Sequence, residues 1–85
     1  MTLLELQPVV TYLQANQIKI ETASTSQSGA VSFELVMPSG SRRNLRFTSR
    51  LLAYLTGVQI EGHMKTYEFV RRLEEQGNQE LAHIL

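Results

Sequence analysis

The stretch that most constrains this chain is Val31 to Arg50, VSFELVMPSGSRRNLRFTSR. Val31, Phe33, Leu35 and Met37 alternate with Ser32, Glu34 and Val36. A period of two is the pattern of a strand with one buried face. Pro38-Ser39-Gly40 then supplies a turn: proline presets a negative φ and glycine tolerates a positive one. The spacing predicts a three-residue hairpin loop with Gly40 in the left-handed position. The return strand runs from about Arg43 to Thr48. Leu45 and Phe47 share one face with Arg43, and Asn44, Arg46 and Thr48 share the other. Val36 stands on the polar face of the first strand, so that face is not wholly left to water.

An 85-residue chain is read as one domain, residues 1–85. A chain this short buries only about 60–65% of the surface it exposes when unfolded. With no cysteine and two histidines far apart in sequence, neither a disulfide nor a structural zinc is expected to support it. Small chains without such staples often lean on oligomerisation, and a homodimer is expected. No apolar run is long enough to span a bilayer, and no basic segment precedes an apolar one at the N-terminus. The expectation is therefore a cytoplasmic protein that does not enter the membrane.

Along the chain, Thr2-Leu3-Leu4-Glu5 has the spacing of a capping box. Leu3, Leu6, Val10 and Leu13 recur at helical spacing, which predicts a helix from about Leu3 to Ala15. Pro8 either kinks that helix or sits in the first turn of a restarted one. Asn16 is the expected left-handed stop. Ile18 and Ile20 alternate with Lys19 and Glu21, giving a first strand over about Gln17 to Ala23, followed by a polar loop, Ser24 to Gly29. Three strands make an antiparallel meander whose edges are the first and the third. Its core face is Ile18, Ile20, Val31, Phe33, Leu35, Met37, Leu45 and Phe47. Thr48 or Ser49 caps a helix over Arg50 to Thr56 that Gly57 ends. Val58 to Gly62 reads as a connector or a helix start. Met64, Tyr67, Val70 and Leu73 form one stripe of a helix running to Gln76, with Glu68–Arg72 and Arg71–Glu75 as solvent-side pairs. Gly77 breaks it, Asn78 caps a short final helix, and Ile84-Leu85 closes an apolar C-terminus. The fold class is α+β: two layers, in the order α-β-β-β-α-α, with two to three C-terminal helices.

Few catalytic groups are on offer. Nothing in the sequence brings His63 or His83 to a serine, and there is no aspartate, the commonest magnesium or calcium ligand. The hydroxyl-rich loop at Ser24–Gly29 has one glycine and no lysine, unlike a phosphate-cradling loop. The reading is not an enzyme, with no cofactor and no metal.

Charge is what remains. Arg42, Arg43, Arg46 and Arg50 fall in a window from Glu34 to Glu61 that holds no acid between its ends, and each flank carries a net −2, so the whole chain is neutral. Arginine forks grip carboxylate and phosphate, and arginine and tyrosine anchor interfaces. The function expected is thus a small protein–protein interaction module, a regulator or adaptor, binding an acidic protein partner through Arg42, Arg43, Arg46, Arg50 and Tyr54. The alternative is a nucleic-acid-binding transcriptional regulator using the same strip, or a helix-turn-helix-like segment over 50–74 with Gln59, Glu61, His63 and Lys65 near the start of its second helix. Helix, meander, helix is also the element order of double-stranded-RNA-binding domains. Their basic, glycine-containing phosphate loop is replaced here by Thr48-Ser49-Arg50.

Overall fold

The computed structural model describes residues 3–82, with side chains from Glu5 onward. Thr2 of the expected capping box, and His83, Ile84 and Leu85, lie outside the described residues. The architecture is α+β. A 3-10 turn at Leu3–Leu6 leads into α1 (Gln7–Ala15), then β1 (Lys19–Thr25), β2 (Val31–Val36) and β3 (Arg42–Phe47). These three strands pair antiparallel. Next come α2 (Ser49–Tyr54), α3 (Gly57–Thr66), α4 (Phe69–Gln76) and a short strand β4 (Gln79–Leu81).

Pro8 resolves as a helix starter. It lies in the first turn of α1, after the 3-10 segment, where its missing N–H costs nothing. At the other end the positive φ belongs to Gln17 (60°); Asn16 itself has φ −98°. Asn16 instead donates its side-chain amide to the Tyr12 carbonyl at 2.8 Å. Both hairpin loops use the same device. Met37 N–H donates to the Ser41 carbonyl at 2.8 Å around Pro38-Ser39-Gly40, and Ser26 N–H donates to the Ala30 carbonyl at 2.8 Å around Gln27-Ser28-Gly29. Gly40 (φ +89°) and Gly29 (φ +94°) take the left-handed position in each. Ser24 and Thr25 are therefore strand rather than loop.

The helices cover one face of the sheet. Val31, Phe33, Leu35, Met37, Leu45 and Phe47 are buried there with Ile18, while Ile20 is half-buried. Leu6, Val9 and Leu13 meet them from the N-terminal helix, and Leu51, Leu52, Ile60, Met64, Phe69 and Leu73 from the others. The second half of β1 is less covered. Ala23 and Thr25 stand opposite Phe33 and Val31, yet both are exposed.

Three expectations are corrected. The sheet has the order β1-β2-β3-β4, so β3 is interior and β4 is the edge. β4 runs parallel to β3, with Leu45, Arg46 and Phe47 beside Gln79, Glu80 and Leu81. Asn78 therefore opens a strand and not a helix. Its side-chain oxygen accepts from Asn44 N–H at 2.8 Å, and Leu81 is buried. Second, Gly57 starts a helix. Thr56 and Gln59 form a reciprocal capping box, with Gln59 N–H donating to Thr56 Oγ1 at 3.2 Å and Thr56 N–H to Gln59 Oε1 at 3.0 Å. Thr48 caps the preceding helix, which stops at Tyr54. Third, the stripe from Met64 to Gln76 is two helices. Glu68, in the left-handed region at φ 53°, breaks it. The turn lets α4 redirect and bury Phe69 and Leu73.

Candidate interaction surface

The four arginines of the basic window part company. On β3, Arg42 and Arg46 take one face and Arg43 the other, as strand geometry requires, while Arg50 lies on α2. Arg43, on the helix-covered face with Leu45 and Phe47, reaches the end of α4. Its Nε donates to the Leu73 carbonyl, and its Nη2 to the Glu74 carbonyl at 3.3 Å. A guanidinium there satisfies the orphan carbonyls of the last helical turn and complements the dipole. Arg46 lies on the open face and pairs with Glu80 of β4 at 2.6 Å. Arg42 is exposed at the loop end of β3, with Glu21 at 3.9 Å. Glu34, on the neighbouring strand, makes no such bridge among the described residues. Arg50 is exposed beyond the opposite end of β3, without a charged partner among the described residues. At about 3.3 Å per residue, roughly 17 Å of strand separates the two ends. The strip is thus not one surface. Arg43 caps the end of α4, Arg46 is paired with Glu80 at the surface, and Arg42 and Arg50 stand at opposite ends of β3.

Arg43 yields a direct expectation. Arg43→Ala leaves α4 carbonyls without their donor and should cost about 2 kcal/mol, the range for hydrogen bonds made by a charged group. Arg43→Lys should recover only part of that, since one ammonium cannot reproduce the fork. Arg42→Ala should move stability by less than about 0.5 kcal/mol, as solvated surface changes do. Urea unfolding of the three variants measures this. Equal midpoints for Arg42→Ala and Arg43→Ala would remove the structural role given to Arg43.

Arg50 and Tyr54 do stay together. They are four apart on α2, hence on one side of it. Tyr54 is 79% exposed, and Val58, at the start of α3, is 67% exposed. Only one other large apolar side chain is comparably exposed among the described residues, Tyr67 at 46%. Between Tyr54 and Val58 the chain turns through Leu55 and Thr56, and a shallow cleft of about 490 Å³ opens, with Glu5 and Leu52 also on its wall. Thr56 caps α3 at this turn, and Gly57 packs against the Glu5 backbone. Sequence reasoning named Arg50 and Tyr54 and missed Val58. Reading Gly57 as a helix end hid the fact that Val58, at the start of α3, lines the same cleft as Tyr54.

The helix-turn-helix spacing over 50–74 resolves into a six-residue α2, a two-residue connection and α3. On α3, Glu61 pairs with Lys65 at 3.2 Å and both flank α1, lining a groove with Tyr12. Among the described residues no group of histidines and carboxylates is arranged to hold a metal ion, and no helix is long and apolar enough to cross a membrane. Comparison with protein-family models, curated proteins and solved structures found no match. The geometry of the surface therefore carries the functional argument.

Proposed function

We propose that this protein is a small non-enzymatic interaction module, a regulator or adaptor acting in the cytoplasm, and that it docks a protein partner at the α2–α3 corner. The observation that carries the reading is the pair Tyr54 and Val58, two large apolar side chains exposed beside one cleft at a corner where Thr56 caps α3. Contiguous exposed apolar surface marks interaction sites, and Tyr54 and Val58 line one cleft together. Tyrosine and arginine are the side chains that most often dominate binding energy. Arg50, free on the same side of α2, selects a partner with a carboxylate next to its apolar anchor. A second copy of the chain is the simplest such partner.

Photo-crosslinking tests this. Benzoylphenylalanine in place of Tyr54, in cells, should give one discrete crosslinked species, at twice 9.6 kDa if the partner is a second copy. Its yield should fall several-fold on Arg50→Glu. The same probe at Gln14, exposed on α1, is the control. Once the partner is identified, Tyr54→Ala should weaken binding about 30-fold, the equivalent of about 2 kcal/mol for an anchor residue. Equal yields from positions 54 and 14 would sink the proposal. The nucleic-acid alternative is checked by anisotropy with a labelled DNA duplex at about 50 and 200 mM salt, where phosphate contacts declare themselves. The expected result is no binding. Binding that collapses with salt and with Arg50→Ala would replace the protein partner by nucleic acid.

A further inference from the structure

The elbow between α3 and α4 holds a second feature, away from the α2–α3 corner. His63, Tyr67, Phe69 and Arg72 gather there. The His63 ring lies 4.4 Å from Tyr67 and 6.0 Å from Phe69, centroid to centroid. The Arg72 guanidinium stands 5.1 Å from the Phe69 ring centre and 6.0 Å from that of Tyr67. The left-handed Glu68 makes this cluster possible, by folding α4 back so that Phe69 and Arg72 meet the end of α3.

The sequence spacing predicts that Glu68 neutralises Arg72, four residues on. In the structure Glu68 closes on Arg71 at 3.3 Å, and Glu75 closes on the same arginine at 3.6 Å. Arg71 takes both carboxylates of its face and Arg72 is left with none. Among the described residues nothing accepts a hydrogen bond from the Arg72 guanidinium or from the His63 ring. Lys65, the remaining cation near the end of α3, is engaged by Glu61 at 3.2 Å. Arg72 is half-buried with its guanidinium within cation–π distance of two rings, contacts that limit the freedom it loses on binding. His63 and Arg72 thus lie against the same two rings, Tyr67 and Phe69, and neither side chain has a hydrogen-bond partner among the described residues.

We infer that this elbow is a carboxylate-binding site, in which the Arg72 fork takes both oxygens of a single carboxylate and His63 and the Tyr67 hydroxyl flank it. A monoanion is the fitting charge. One guanidinium balances one carboxylate, whereas a phosphate dianion would keep a net charge. Bidentate arginine–carboxylate pairing is geometrically specific and strong for a hydrogen bond. The electrostatics of His63 agree. Burial, first, and the positive Arg72, second, hold its pKa below the usual value. A carboxylate between the two groups would cancel the second cause and let the imidazole charge more readily. The carboxylate belongs to a partner's acidic side chain or to a chain terminus.

The test uses His83→Gln protein, which leaves His63 as the single histidine, with its ring ¹³C-labelled and observed by NMR. Two probes are titrated: acetyl-Gly-Gly with a free C-terminal carboxylate, and acetyl-Gly-Glu-Gly-amide with a side-chain carboxylate. Acetyl-Gly-Gly-amide and sodium chloride at matched ionic strength are the controls. At least one carboxylate probe should shift the His63 ring resonances saturably and raise the His63 titration midpoint, and which one does so names the source. Arg72→Gln should abolish the saturable shift while Arg71→Gln retains it. Amide spectra of both variants should keep their dispersion, showing that the fold survives. Shifts no larger than the controls, shifts that persist in Arg72→Gln, or saturation by inorganic phosphate instead of the peptides would each overturn the assignment. None of these readouts depends on Tyr54, so this site and the α2–α3 corner stand or fall separately.

Discussion

Replacing Gly57 by alanine should destabilise the protein by about 3 kcal/mol, against the usual preference of a helix for alanine. In an open helical site the same exchange gains about 1 kcal/mol. At Gly57 a Cβ would come 2.0 Å from the Glu5 carbonyl oxygen, 3.1 Å from the Glu5 carbonyl carbon and 3.3 Å from Pro8 Cδ. The obstacles are backbone and a proline ring, so no side chain can swing aside. Either α3 slides away from the N-terminal segment or the 3-10 turn lifts, and both open the packing of Leu6, Val9 and Ile60, which are fully buried. Overpacking by a single methyl against yielding groups costs about 1–3 kcal/mol; rigid neighbours place this case at the upper end. Gly62 is the internal control. It lies within the same helix with nothing within 4 Å of its would-be Cβ, so Gly62→Ala should raise stability by about 0.5–1 kcal/mol. Urea unfolding reads both as midpoint shifts of opposite sign. Two shifts of the same sign would refute the close approach of α3 to the N-terminal segment.

Phe33→Ala should cost about 4 kcal/mol. Phe33 is 1% exposed in the centre of the sheet and meets Phe47 edge to face, with centroids 5.8 Å apart and ring planes at 79°. Truncating a buried phenylalanine costs about 3–5 kcal/mol through lost transfer energy and the cavity left behind. The edge-to-face contact contributes about 0.5–1.5 kcal/mol of its own. Collapse into the space is limited. The residue across from Phe33 on β1 is Ala23, too short to fill it, and Leu45 on the other side is already fully buried. Domains of this size are stable by about 5–15 kcal/mol, so the loss is a large share of the whole. Phe33→Leu should retain most of the stability. A double-mutant cycle with Phe47→Leu should show coupling; strictly additive losses would mean that the two rings do not interact as described.

The hairpin was the most legible part of the chain. Alternation from Val31 to Met37 told which residues are buried, Pro38-Ser39-Gly40 told the loop, and Arg43 was placed with Leu45 and Phe47. That last assignment already implied that one arginine of the window points at the helices. What it would touch there was not legible, because the acceptors are the carbonyls of Leu73 and Glu74, about thirty residues on in the chain. β4 was missed for a similar reason. Three residues carry no usable period, and Gln79–Leu81 is a strand because β3 offers it a ladder. On the candidate surface, Arg50 and Tyr54 were named from residue type and spacing, but Arg42, Arg43 and Arg46 were grouped with them by proximity in sequence. Alternating faces and the length of a strand undo that grouping.

The division follows the range of the forces. Sequence alone determined what neighbours along the chain decide: the period of the strands, the left-handed glycine of the hairpin loop, a hydroxyl cap at Thr48 or Ser49 for α2. Those depend on backbone sterics and hydrogen bonds within a few residues. Tertiary structure decided everything that depends on a partner brought from afar. Gly57 begins a helix, against its usual role, because Thr56 and Gln59 cap that end, and the position is glycine because the Glu5 carbonyl leaves no room for a Cβ. Glu68 breaks a continuous stripe and turns Arg72 onto Phe69 and Tyr67. Arg46 is engaged because β4 brings it Glu80, and Arg50 is free because no described element brings it an acid. Which charges are free to bind is therefore a property of the fold, since only packing determines which of them are already paired.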